Sequence, residues 1–281
     1  MRCLSWVLTL FVCASVVAAE LDDVSISTTP VGGSVYMLQG AGGNIGVSSG
    51  EDGILIIDDQ FAPMAEKIAA ALGRLNQNAP RYVINTHYHG DHTGGNAFMA
   101  SVQKATIFAH DNVRERLLAA NNIGAQALPV VTYADGIKFH FNAETIRVMH
   151  LPSGHTDGDS VVWFEQANVL HTGDLFFESR FPYIDLDGGG TVDGYVQNAE
   201  RLIAMLGDNT QVIPGHGALT NKAGYQIFVD MIKSTAAFVR KHRAAGKSLD
   251  DIVKIGLEPQ WASWSWDFIN EEKWIATLYR G

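Results

Sequence analysis

The chain has 281 residues, of which 47% are hydrophobic and 18% charged, with a formal net charge of −10. This is a globular composition rather than a disordered one, and the length suffices for a large core. The acidic surplus, with no dense run of Lys and Arg, excludes nucleic acid as the expected partner, because like charge repels a phosphate backbone.

The chain opens as a targeting segment. Arg2 supplies a positive start, Leu4 to Val17 is almost wholly apolar, and Val17-Ala18-Ala19 offers small residues for cleavage before Glu20. The apolar run is short for a bilayer span, so no stable membrane anchor is expected. Val12 is bulky where lipid attachment at Cys13 would want a small residue. The reading is therefore a signal peptide over residues 1–19 and a periplasmic or secreted protein. Both cysteines, Cys3 and Cys13, lie in that segment, so the exported chain would have no thiolate to offer a metal.

Residues 20–281 read as one domain, with a helical C-terminal cap over about 225–281. Val35 to Leu38, Ile45 to Ser48 and Ile54 to Ile57 are short apolar runs separated by glycines, and predict antiparallel strands. Ala62 to Leu75 carries Met64, Ile68, Leu72 and Leu75 at helical spacing, with Pro63 near its start. Tyr82 to Ile84 and Thr106 to Phe108 predict strands, and Asn112 to Ala120 a helix. Strands follow at Ile146 to Val148, Ser160 to Phe164 and Asn168 to His171. Then come a helix over Val196 to Leu206, a strand over Gln211 to Ile213, and helices over Tyr225 to Arg243 and from Ser248. The pattern predicts two β-rich halves with helices on their outer faces.

The chemistry concentrates in Thr86-His87-Tyr88-His89-Gly90-Asp91-His92. The whole chain has ten histidines, and three of them stand here within six positions, directly after an apolar strand. On an extended stretch His87 and His89 point to one side, and Gly90 lets the chain turn so that Asp91 and His92 are re-aimed. Imidazole and carboxylate are the ligands zinc accepts without thiolate. Three further segments each set a ligand-capable residue just past a strand and beside glycine: Gly154-His155-Thr156, Thr172-Gly173-Asp174 and Pro214-Gly215-His216-Gly217.

Together these motifs resemble the metallo-β-lactamase superfamily, in the expected order and over most of the exported chain, from about Val35 to Gly217. The resemblance implies an α/β fold, a four-layer αβ/βα sandwich with metals in a cleft between the sheets. It implies that His87, His89 and His155 hold one metal, that Asp91, His92 and His216 hold a second, and that Asp174 bridges them. It places Asp58 in a supporting role behind the histidines. The implied cofactor is a pair of Zn²⁺ ions, with iron or manganese suited to the same donors. The implied reaction is attack by an activated water on an ester, lactone, thioester, sulfate ester or β-lactam, with Asp91 mainly orienting that water.

Two departures bear on the substrate, a small molecule. Many β-lactamases of the superfamily use cysteine at the place of Asp174 and a lysine three residues on, where this chain has Phe177. Aspartate there resembles the glyoxalase II, lactonase, sulfatase and nuclease branches. A β-lactamase and a mononuclear iron enzyme of the sulfur-dioxygenase type are the alternative enzymes, and a metal-binding module without turnover is the non-enzymatic one. Phe177, Arg180, Phe181 and Tyr183 are candidates for the substrate pocket, with core packing the competing reading for the aromatic ones. Asp185-Leu186-Asp187-Gly188-Gly189-Gly190 begins like a calcium loop but lacks its later ligands, and reads as a loop near the metals. The tryptophans from Trp261 to Trp274 read as a packed cap.

Overall fold

The computed structural model describes residues 21, 23–120 and 123–281. The expected signal peptide and both cysteines lie outside the described residues. No described helix is long and apolar enough to cross a membrane.

Thirteen described strands form two mixed sheets. The first holds β1 (Ser27–Gly32), β2 (Val35–Gln39), β3 (Ile45–Gly50), β4 (Gly53–Ile57), β5 (Pro80–Ile84), β6 (Thr106–His110) and β7 (Val131–Tyr133), side by side in that order. The second runs β13 (Thr220–Asn221), β12 (Gln211–Ile213), β11 (Val169–His171), β10 (Ser160–Phe164), β9 (Glu144–His150) and β8 (Gly136–Phe141). The described helices are α1 (Ala65–Leu75), α2 (Gly90–Thr93), α3 (Asn96–Ser101), α4 (Asp111–Ala119), α5 (Val192–Met205), α6 (Lys222–Ala244), α7 (Leu249–Ile255) and α8 (Glu271–Arg280).

Strand periodicity explains the layers. In β4, Leu55 and Ile57 enter the core between the sheets, while Ile54 and Ile56 face the other way and pack with Ile68 and Leu72 of α1. In β10, Val162 and Phe164 face inward, and Val161 faces the outer helices with Tyr195, Phe228 and Trp274. Strands covered on both faces read as continuous apolar runs, which is why these segments stood out in the sequence. The result is helix, sheet, sheet, helix: the predicted four-layer sandwich.

Several boundaries moved for local reasons. Helix α5 starts four residues before its predicted start, because the Thr191 side chain accepts from Gly194 N and caps a turn that the apolar periodicity does not mark. Helix α7 starts where expected, after Ser248, which forms a capping box with Asp251. The helix after β6 is capped by His110, whose Nδ1 accepts from Asn112 N. Strands β1, β7, β8 and β13 were not predicted.

Two parallel pairs set the site. Strand β4 runs parallel to β5, and β11 runs parallel to β12, so each pair ends at the same edge of its sheet. The chain leaves those four strands at Asp58, at Asn85 to His87, at Thr172 to Asp174 and at Pro214 to His216. Ligand sites in mixed α/β sheets favour such carboxyl ends.

Candidate metal centre

Asp58 organises the N-terminal half of the site. It is buried, with a left-handed backbone (φ 64°). Its Oδ1 accepts from Thr86 N at 2.7 Å, and its Oδ2 accepts from Thr86 Oγ1 at 2.8 Å and lies 2.7 Å from His92 Nδ1.

These partners assign the imidazole tautomers. Thr86 spends its one hydroxyl proton on Asp58, so its oxygen accepts from His87 Nδ1 at 3.0 Å and leaves His87 Nε2 bare. His92 donates from Nδ1 to Asp58, which leaves its Nε2 bare. His155 donates from Nδ1 to the Tyr183 carbonyl at 2.8 Å, again leaving Nε2 bare. His89 is reversed: Nε2 donates to Asp185 Oδ2 at 3.0 Å, and Nδ1 is the free atom. Four rings are thus fixed from behind, each with one lone pair turned inward.

The inward atoms converge on two groups, His87, His89, His155 and Asp174 in one, and Asp91, His92 and His216 in the other. Within each group the ligand atoms lie within 4.8 Å of one another. Asp174 serves both. Its Oδ2 is 3.8 Å from His87 Nε2 and 3.4 Å from His155 Nε2, while Oδ1 is 3.0 Å from His92 Nε2 and 3.4 Å from His216 Nε2. Asp91 Oδ2 lies 3.2 Å from His216 Nε2 and 3.6 Å from His92 Nε2.

The donor set fits metal cations. His87 Nε2, His92 Nε2 and Asp174 Oδ1 are buried and lack a hydrogen-bond partner, the last two standing 3.0 Å apart. His155 Nε2 and His89 Nδ1 face each other at 2.8 Å, although both rings have committed their protons elsewhere. Lone pair against lone pair is repulsive unless a cation sits beside it, and buried orphan acceptors carry a desolvation cost that a ligated ion removes. All the donors are nitrogen or oxygen, the set zinc accepts.

The charges are arranged to match. Burial alone would raise the Asp174 carboxyl, but His92, His216, His87 and His155 outweigh it and hold the group well below the usual carboxylate range. Burial brings His155 down to about 4 and leaves it neutral at ordinary pH. Burial also acts to lower His216, yet Asp174 and Asp91 prevail and lift it to about 9. Hydrogen bonds from His89 and Tyr88 outweigh burial at Asp185 and hold its carboxyl well below the usual range.

Close approach explains two of the glycines. A Cβ on Gly43 would lie 2.1 Å from the His92 ring, and one on Gly215 would lie 2.1 Å from Asp174 Oδ1.

A cavity of about 750 Å³ opens over the centre, with Asp91, Asp174, His89 and His216 in its floor. Of the proposed pocket residues, Phe177 and Tyr183 line it, and Phe177 is also stacked on His216 at 4.9 Å between ring centroids. Phe181 is not among the lining residues; it is buried and stacked on Trp274, because its strand-end segment turns into the helical core. Arg180 stands outside the cavity, in an adjoining groove with Glu178 and Gly217, its guanidinium over the Trp266 ring. Sequence reading missed Phe61, Tyr88, Trp266 and Phe268 as lining residues, and Asp185 as the partner of both His89 and Tyr88. The signal for Asp185 was its glycine run. A Cβ on Gly188 would strike both Asp185 and the Tyr88 hydroxyl, so the loop must be bare to seat there. Among the tryptophans, Trp264 and Trp274 are packed as expected, and Trp266 faces the cavity.

A sequence profile of the metallo-beta-lactamase superfamily matches residues 28–216. The chain belongs to the metallo-beta-lactamase superfamily. Relatives in that superfamily include hydrolases, and the described residues of this chain hold a candidate metal site. It is similar to a hydroxyacylglutathione hydrolase of Nitrosococcus oceani, 26% identical over 167 residues that span 59% of this chain and 59% of that protein. It is similar to a metallo-beta-lactamase type 2 of Bacillus cereus, 28% identical over 156 residues, 54% of this chain and 57% of that one. The chain thus spans somewhat under two thirds of the length of these two curated relatives. Among solved structures, a metallo-beta-lactamase from Pontibacter korlensis superposes with a TM-score of 0.63 at 18% identity, covering 74% of this chain and 99% of that one. That likeness places the superfamily fold on the described sandwich.

Proposed function

We propose that this superfamily member is a dizinc hydrolase, exported to the periplasm or beyond, acting on an ester, lactone, thioester, sulfate ester or β-lactam. One observation carries the two-metal reading: Asp174 turns one oxygen to each group of ligands. His87, His89 and His155 would hold the first ion, and Asp91, His92 and His216 the second, with Asp174 shared. When bound, such a pair supplies a water acidified toward neutral pH and a Lewis acid for the developing anion.

The chain's own groups do the rest. Asp58, Thr86, Asp185 and the Tyr183 carbonyl keep the histidine lone pairs aimed inward. Asp91 lines the cavity and orients the attacking water; as a ligand it is too weak a base to be the main proton acceptor. The export reading rests on Arg2, the apolar run Leu4 to Val17 and the small residues before Glu20. The second group with His216 favours two metals over a mononuclear iron dioxygenase.

The test is metal content together with a panel of nitrocefin, a lactone, a thioester and an aryl sulfate, run beside His87→Ala. Two zinc ions per chain and a turnover that the variant loses are expected. One iron per chain with oxygen consumed would sink the proposal.

A further inference from the structure

The cavity above the candidate centre has a lining that bears on what it accepts. Six aromatic side chains stand in its wall: Phe61, Tyr88, Phe177, Tyr183, Trp266 and Phe268. Among the described residues, its ionisable lining, the tyrosines aside, consists of the carboxylates Asp91, Asp174 and Asp185, besides His89 and His216. No Lys or Arg lines it among the described residues.

Three cations stand against the rings of the aromatic wall from outside the cavity lining. Arg116 lies over the Tyr88 ring at 5.4 Å, Arg180 over Trp266 at 5.2 Å, and Lys273 over Phe268 at 5.6 Å. None of the three is a lining residue of the cavity. Arg116 makes a bidentate pair with Asp157, and Lys273 donates to the Phe268 carbonyl at 2.7 Å. Arg116 and Lys273 are thus committed elsewhere, while Arg180 lies over Trp266 in the adjoining groove rather than in the cavity. Phe61 and Phe268 are exposed at the mouth, 41% and 52%, so the entrance is apolar as well.

We infer that the cavity selects an uncharged, apolar acyl compound, an aromatic or medium-chain ester or lactone, and discriminates against substrates whose acyl chain ends in a carboxylate. This inference rests on the hydrolase reading and narrows it. A carboxylate away from the metal ions would meet aromatic faces and Asp185, losing its hydration without a partner. An apolar group there exchanges water for ring contacts. Trp266 and Phe268, from the C-terminal segment, are the specificity-determining residues.

The experiment uses the zinc-loaded full chain and two esters with one leaving group, p-nitrophenyl hexanoate and mono-p-nitrophenyl succinate. A kcat/KM at least about tenfold higher for the hexanoate is expected. Trp266→Ala and Phe268→Ala should each raise KM for the hexanoate several-fold, by a larger factor than for p-nitrophenyl acetate. Phe61→Lys, at an exposed position, should narrow the gap by improving the succinate. Binding is read without turnover by quenching of tryptophan fluorescence, with hexanophenone against 4-oxo-4-phenylbutanoate and Trp266→Phe as control. Hexanophenone should quench at lower concentration, and the control should lose most of that signal. Turnover of the succinate equal to or above the hexanoate, or tighter binding of the keto acid, overturns the substrate class and leaves the hydrolase reading standing. Failure to turn over either ester and every member of the nitrocefin, lactone, thioester and aryl sulfate panel, with the ketones still ranked as expected, overturns the hydrolase reading and upholds the cavity's selectivity.

Discussion

The two sheets contribute to the centre in different ways. The first delivers His87, His89, Asp91 and His92 from one loop after β5, with Asp58 after β4 stapling that loop in place. The second delivers His155, Asp174 and His216 singly, from three separate strand connections. A contiguous loop holds its ligands by local backbone geometry. The scattered ligands are held by long-range contacts: Tyr195 Oη donates to the Asp174 carbonyl at 2.6 Å, and Tyr225 Oη donates to the Leu175 carbonyl at 2.9 Å, each from an outer helix. Metal affinity therefore depends on local turn chemistry on one side and on packing of the helical layer on the other.

The strongest test of that division is Asp174→Ala. Removing the shared carboxylate should drop metal content below one ion per chain and cut turnover by on the order of a thousandfold, beyond the roughly 10–100-fold cost of losing a supporting partner. Retention of two ions would mean that the shared carboxylate is not needed to hold the centre.

Acid should separate the two groups of ligands. In the metal-free chain His216 titrates at about 9 and His155 at about 4. A metal must displace the proton from His216 at every pH below about 9, and its affinity there weakens by up to about tenfold per unit as pH falls. His155 offers no such competition above about 4. Dialysis at stepwise lower pH, followed by metal analysis, should first remove the ion of the Asp91, His92 and His216 group. Loss of both ions in a single step would break the distinction.

Two supporting carboxylates sharpen it further. Asp58 reaches His92 directly and His87 through Thr86, so Asp58→Ala should cost metal affinity of about 10–100-fold, seen by chelator competition. Asp185 holds only His89 among the ligands, so Asp185→Ala should cost less and should act on the first group alone. The smallest effect is expected far from the centre. Ser248→Ala removes the α7 capping box and should lower stability by about 0.5–2 kcal/mol in thermal unfolding, with metal content unchanged.

Legibility followed sequence separation. The run His87 to His92 could be read because its donors are adjacent and follow an apolar strand. The buried strands β4, β10 and β12 could be read because apolar runs bounded by turns have few other interpretations. Strand β8 has Ile137, Phe139 and Phe141 in alternation and was readable in principle, whereas β13 has only two residues and exists by pairing with β12. Asp185 was missed because its partner His89 is 96 positions away, and a calcium-loop pattern offered the nearer comparison. Phe181 and Trp266 look alike on paper, as aromatic residues near the site, and only their surroundings separate a core residue from a lining one.

The sequence by itself determined the donor chemistry, the order of the motifs and the layered fold, since residue type and apolar periodicity are local properties. The tertiary structure decided which nitrogen of each histidine faces inward, that Asp174 divides its oxygens between two groups, and that the surrounding cations stand against the aromatic wall. Those are matters of direction and distance between segments far apart in the chain, and they exist only once the two sheets pack face to face.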